Sequence, residues 1–232
     1  MTATIDKARV EPTLAQRLGA EFVGTAFLLA TVVGSGIMAQ NLSTDPGLQL
    51  LQNALATAAV LTALILALQK VSGAHLNPAV TLGFRALGDI STPEAIRYVV
   101  AQTLGAVLGV ILANVMFGLD PVIVATTERT GASLALSEGV ATLGLLLVIF
   151  GPVRTGRPNT VAFAVGGYIA GAYYFTSSTS FANPAVTVAR MLTDTFTGIS
   201  PASVPLFLIA QLAGAVLAAV LARRILTSAH IQ

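Results

Sequence analysis

The chain has 232 residues, 55% of them apolar and 9% charged, with a formal net charge of +2. A soluble globular chain carries about 25% charged residues, so this composition excludes an ordinary water-soluble domain and leaves an integral membrane protein. The absence of Cys removes a disulfide framework, a thiolate metal site and a thiol nucleophile, and the pI near 9.3 rests on so small a net charge that it does not point to nucleic acid.

Residues 1–13 are polar and run into a full-length apolar stretch, which reads as an N-terminal tail and not a signal peptide. A bilayer core needs about 20 mostly apolar residues per helix. Six stretches qualify: 14–39, 48–70, 95–117, 131–151, 159–177 and 203–224. Turn-forming residues separate them, among them Asp45-Pro46-Gly47, Thr92-Pro93, Gly151-Pro152 and Ser200-Pro201. Two apolar pieces, 77–87 and 183–192, are too short to cross, and 225–232 is left as a C-terminal tail. The prediction is an all-α membrane protein with six transmembrane helices and two re-entrant half-helices, forming one domain over 14–224.

Basic residues set the orientation. With the N-terminus inside, Lys7, Arg9, Arg17, Lys70, Arg85, Arg97, Arg154, Arg157, Arg223 and Arg224 are cytoplasmic, and only Arg129 and Arg190 lie outside. That bias places both termini in the cytoplasm. The chain also repeats itself, with Ala20-Glu21-Phe22-Val23-Gly24-Thr25 answered by Ser137-Glu138-Gly139-Val140-Ala141-Thr142, and Ala101-Gln102 through Leu108 by Ala210-Gln211 through Leu217. Three crossings in each repeat, about 14–117 and 131–224, force the second copy to be inverted.

The short pieces begin with the same phrase, Asn77-Pro78-Ala79-Val80-Thr81 and Asn183-Pro184-Ala185-Val186-Thr187. Asn is a strong N-cap and Pro is favoured at the first helical position, so each phrase starts a half-helix. The flanking residues Ser72 to Leu76 and Phe181-Ala182 complete two signatures that resemble those of the aquaporin and glycerol-facilitator family, the major intrinsic proteins. The resemblance spans about 14–224. It implies a right-handed bundle of six tilted helices, half-helices meeting at mid-membrane, one pore per subunit and a homotetramer in a cell inner membrane. It also implies a passive channel, not an enzyme, with no cofactor or metal, whose partners are lipid, water and small neutral solutes.

Inverted half-helices capped by Asn77 and Asn183 would aim two positive dipole ends and two side-chain amides at one point, a barrier to cations and protons but not to a neutral hydroxyl compound. The stretches Gly73–Leu76 and Thr179–Ala182 are expected to be extended. Their bare carbonyls, at Gly73, Ala74, His75, Thr179 and Phe181, would form a ladder of acceptors along a wet cavity. His75 has no partner cluster and reads as structural rather than as a pH gate or ligand. Glu21 and Glu138 lie inside spans, where an ionisable group is costly. The resemblance assigns them the support of the two re-entrant loops, in preference to a proton relay.

The resemblance also locates a filter on the outer side. Counted from the signatures without gaps, its positions are Thr57, Gly171, Ser180 and Val186. Most of the family carries Arg where Val186 stands, and water-selective members carry aromatic and His residues at the first two places. Thr, Gly, Ser and Val supply little bulk and no charge, which implies passage of glycerol, urea or neutral hydroxides such as arsenous acid. A water-selective aquaporin is the alternative reading. A coupled secondary transporter is a further one, but Glu21 and Glu138 have no basic partner within the spans. Arg190 follows Val186 by four residues and so shares its helical face. It either replaces the missing charge at the outer vestibule or snorkels to the interface, the commoner fate and the expectation here.

Overall fold

Eight α-helices make up most of the regular structure of residues 11–226, the part described by a computed structural model of the chain. Local chemistry sets several of their starts. Thr13 and Gln16 form a reciprocal capping box on α1 (Leu14–Leu42). Asp45 accepts from Leu48 N ahead of Pro46 on α2 (Pro46–Ser72). Asn77 caps α3 (Pro78–Leu87), and Ser91 caps α4 (Thr92–Met116). α5 (Ala132–Arg154) and α6 (Val161–Phe175) lead to the second half-helix, α7 (Pro184–Ala189), capped by Asn183, and α8 (Val204–Ile225) closes the chain.

Two predicted boundaries shift. α5 runs through Pro152 to Arg154, where a break was expected at Gly151-Pro152. A proline two residues from a helix end disturbs only the last turn. α6 is 15 residues long, about 22 Å by helical rise, and a 3-10 turn at Pro158–Thr160 extends it at its N-terminal end. It stops at Phe175 because the next residues leave the helix to build the loop leading to α7.

The inverted repeat appears in the packing. α1 lies against α4 and α5 against α8, and both pairs approach through glycine. A Cβ on Gly105 or Gly109 would collide with the carbonyl of Phe22 or Ala26, and one on Gly214 with the carbonyl of Gly139. Small residues at the crossing let two membrane helices gain dispersion contact where no hydrophobic drive exists between them. α2 and α6 form the seam between repeats, with Gly166 of α6 seated on Thr62. Each half-helix packs against both α4 and α8, so each repeat buries part of the other. Outside, large apolar side chains such as Phe27, Phe163, Leu136 and Ile209 stand exposed around the bundle.

Candidate pore and its outer constriction

Glu21 and Glu138 are fully buried, and each accepts four hydrogen bonds from its own repeat. Glu21 takes Ser72 Oγ at 2.6 Å, His75 N at 3.0 Å, Leu76 N at 2.7 Å and Gln102 Nε2 at 2.8 Å. Glu138 takes Ser178 Oγ at 2.6 Å, Phe181 N at 2.9 Å, Ala182 N at 2.9 Å and Gln211 Nε2 at 2.6 Å. The glutamines also donate to Thr81 and Thr187, whose hydroxyls donate to the Asn77 and Asn183 carbonyls. A hydrogen-bonded chain therefore ties each carboxylate to its half-helix cap.

These bonds shape the loops. The segments before the caps are non-helical, as expected, but they are not extended throughout. Ala74, Leu76, Thr179, Ser180 and Ala182 all have positive φ, between +45° and +62°. Such a conformation costs about 1–3 kcal/mol per non-glycine residue and persists only when its surroundings over-determine it. Here the carboxylates do so by claiming consecutive N–H groups. Across each planar trans peptide the carbonyl faces the opposite way, so those of Ala74, His75, Ser180 and Phe181 turn away from the glutamates. The predicted acceptors Gly73 and Thr179 are not fixed in this way, and Thr179 does not line the cavity.

The caps meet. Asn77 Nδ2 donates to the Ala182 carbonyl at 2.8 Å, and Asn183 Nδ2 to the Leu76 carbonyl at 2.9 Å, each bond crossing from one repeat to the other. Their Oδ1 atoms accept from Ala79 N, and from Ala185 N and Val186 N. Pro78, Ala79, Pro184 and Ala185 form the first helical turns behind the caps. One proton of each amide is thus committed, leaving the other for a passing oxygen. His75 stacks on Phe84 at 4.7 Å, lies edge-on to Tyr98, and has Nδ1 3.0 Å from Thr81 Oγ1. Since the Thr81 hydroxyl proton goes to Asn77 O, Nδ1 is the donor in that contact.

A single cavity of about 540 Å³ takes its lining from both ends of the bundle, from Lys70 and Asp89 at one end to Arg190 at the other. Helical spacing shows which face each helix gives it. α2 contributes Thr57, Leu61, Ile65 and Gln69, and α6 contributes Val161, Val165, Ile169 and Tyr173, both at every fourth residue. Asn77, Asn183, Ser180 and Val186 also line it.

Thr57, Ser180 and Val186 therefore line the same cavity, but Gly171 does not. It sits about 200° around α6 from Ile169 and from Tyr173, on the exposed face, and a Cβ there would meet nothing within 4 Å. The gapless count fails because the chain between α6 and its half-helix does not keep helical register with the lining stripe. Tyr173 takes the place expected for Gly171. It is buried, and its hydroxyl donates to Thr57 Oγ1 at 3.2 Å. The four-residue spacing of Val161, Val165, Ile169 and Tyr173 was the sequence signal that could have found it.

Arg190 does not snorkel to an interface. It is 4% exposed, its Nε donates to the Thr197 carbonyl, and its guanidinium carbon stands 3.4 Å from the centre of the Phe181 ring. Arg129, from the loop after α4, approaches the same ring at 5.2 Å and donates to the Gly198 and Phe196 carbonyls. Burial pushes the Arg129 guanidinium below its ordinary pKa. Sequence reasoning missed Arg129 as part of this region, although it and Arg190 were the two basic residues left outside.

Comparison with known proteins agrees with this architecture. The chain matches the family described as Major intrinsic protein over residues 9–160 and 153–231. Aquaglyceroporin AqpS of Rhizobium meliloti is 48% identical over 217 residues, which cover 94% of this chain and 93% of that protein. The lens fiber major intrinsic protein of Ovis aries is 38% identical over 196 residues, 77% of this chain and 70% of that one. The X-ray structure of the aquaglyceroporin from Plasmodium falciparum shares the fold, with a TM-score of 0.74 over 92% of this chain and 97% of that chain at 23% identity. The chain belongs to the major intrinsic protein family.

Proposed function

We propose that the protein is a passive channel for small uncharged hydroxyl solutes, glycerol among them, with some water. One observation carries this reading: Asn77 and Asn183, each bonded across to the other repeat, both line one cavity whose other lining side chains are largely apolar, among them Leu28, Val32, Leu145 and Ile149. Neutral donors between apolar walls suit a solute that presents one hydroxylated and one hydrocarbon side, and they give an ion no replacement for its hydration shell. The name of the Rhizobium meliloti relative supports the same class. Thr57 and Val186 leave the outer end without a fixed charge at position 186, which suits glycerol, urea and neutral hydroxides of the arsenous acid type.

Tyr173 supports a second reading, the water-selective channel, since its ring supplies bulk where a glycine was expected. Stopped-flow light scattering on proteoliposomes separates the two. The glycerol reading expects glycerol and arsenous acid to enter faster than into empty vesicles; shrinkage in water alone would establish the alternative. Val186→Arg then tests the constriction. Glycerol and arsenous acid flux should fall severalfold, and unchanged fluxes of every solute would remove Val186 from the filter.

The setting follows from the same physics. The exposed apolar belt suits lipid and neighbouring subunits in a homotetramer, in a cell inner membrane with both termini cytoplasmic by the distribution of Lys and Arg. Cross-linking in native membranes tests the tetramer. Protease protection of tagged termini tests the orientation.

A further inference from the structure

The outer end of the cavity holds two arginines on one aromatic ring. Arg190 and Arg129 stand 3.4 and 5.2 Å from the centre of Phe181, and neither has a carboxylate within ion-pair distance among the described residues. Arg190 lines the cavity one helical turn beyond Val186, and among its nitrogens only Nε finds a hydrogen-bond partner among the described residues. Arg190 is buried and Arg129 half-buried, and two like charges on one ring repel each other while both have lost part of their hydration. The chain offsets this with backbone: Arg190 takes the Thr197 carbonyl, and Arg129 takes those of Gly198 and Phe196. The 122–129 loop is pinned to the same region by Ala125 N to Met191 O, Ser200 N to Thr127 O, and Thr126 to Asp194. Glu138, already holding four donors, is the acidic group that faces both arginines, from beyond ion-pair distance. So much scaffolding around a charge with no direct carboxylate partner is more than a residue reaching for solvent needs.

We propose that Arg190 is the outer cation barrier of this channel, displaced one turn from the filter position that Val186 leaves uncharged. Arg129 is its positioning residue, bonding the Phe196 and Gly198 carbonyls on either side of the Thr197 carbonyl that Arg190 takes, and adding a second positive charge beside Phe181. The arrangement separates two tasks. Val186 leaves the constriction free of a guanidinium, while the positive charge rejecting Na⁺ and protons stands at the entrance, where a neutral solute passes it without a Coulomb cost. This deepens the proposed function and rests on the reading that the cavity conducts neutral solutes.

The test is cation leak per open channel. Na⁺ and proton fluxes are measured with vesicle-trapped indicators and divided by glycerol flux in the same proteoliposomes. Wild type should exclude both ions. Arg190→Gln should raise the ratio by about tenfold or more, the scale expected from removing a unit charge a few ångströms from a low-dielectric path. Arg190→Lys should keep exclusion, and Arg190→Gln combined with Val186→Arg should restore it. Arg129→Gln should raise the leak by a smaller factor, with Arg129→Lys rescuing part of it. An unchanged ratio in Arg190→Gln overturns the proposal, as does a wild type that conducts cations. If Arg190→Gln fails to insert, Arg190→Met keeps an unbranched apolar side chain over Phe181 and is read by the same two outcomes. Absence of glycerol flux in wild type would instead sink the channel reading, and cation flux per inserted protein would still judge the barrier.

Discussion

Tyr173 of α6 donates its hydroxyl to Thr57 of α2 across the seam between the two repeats, at 3.2 Å. The contact joins the two lining stripes at the ends away from Gln69 and Val161, so the width there depends on a phenol ring buttressed by a threonine. Tyr173→Ala should widen that end, raising erythritol flux severalfold relative to glycerol flux in stopped-flow assays. Gly171→Ala, on the outward face, should alter neither flux, and its stability should stay within about 0.5 kcal/mol of wild type.

Much of the fold was legible because membrane physics is strict. Apolar runs and two Asn-Pro starts leave few topologies: the two half-helices appear, five of the predicted crossings are helices long and apolar enough to span, and α6 stands at the sixth as a shorter helix. The outer constriction was harder to read. Loop backbone is not periodic, so counting from Asn183 back to α6 mislaid the lining residue by two positions. Arg190 was set aside because an arginine near a membrane surface usually reaches water. Its burial depends on carbonyls from Thr197 and on a ring, Phe181, that no local pattern brings together. The positive φ angles at Ala74, Leu76 and Ala182 were equally hidden, since they follow from carboxylates 40 or more residues distant in sequence.

Those carboxylates make the next prediction. Every hydrogen-bonding partner of Glu21 and Glu138 is a donor, so a glutamine would set an NH₂ against an N–H in a fully buried site. Glu21→Gln and Glu138→Gln should each destabilise the protein by about 3–5 kcal/mol, the scale for breaking a buried charged network. Thermal unfolding in detergent checks this, and the pseudo-symmetry of the two networks requires drops of similar size. A proton relay at either position would instead leave stability intact and abolish a proton-driven flux.

The glycine crossings allow a sharper comparison. Gly105→Ala and Gly214→Ala place a Cβ against backbone carbonyls that cannot turn aside, those of Phe22 and Gly139. Overpacking of this kind costs about 1–3 kcal/mol, occasionally more. Gly19→Ala and Gly167→Ala, with open space around the new methyl, should be silent or slightly stabilising, since alanine favours the helix. Detergent-resistant yield and unfolding temperature of the four variants should fall into these two groups.

Ser180 tests whether the constriction binds solute or merely admits it. Its Oγ is buried and finds no hydrogen-bond partner among the described residues, although Ser180 lines the cavity beside Asn183. A buried hydroxyl left unpaired costs about 1–3 kcal/mol, so removing it should help the fold. Ser180→Ala is therefore expected to raise the unfolding temperature slightly. If the hydroxyl pairs with each solute that enters, the same change should lower glycerol flux severalfold and water flux less, because glycerol presents more oxygens to satisfy. Stability and flux would then move in opposite directions, as expected for a group kept for passage at some cost to the fold. A variant more stable and equally fast would make Ser180 a bystander, leaving Thr57, Tyr173 and Val186 to set the constriction.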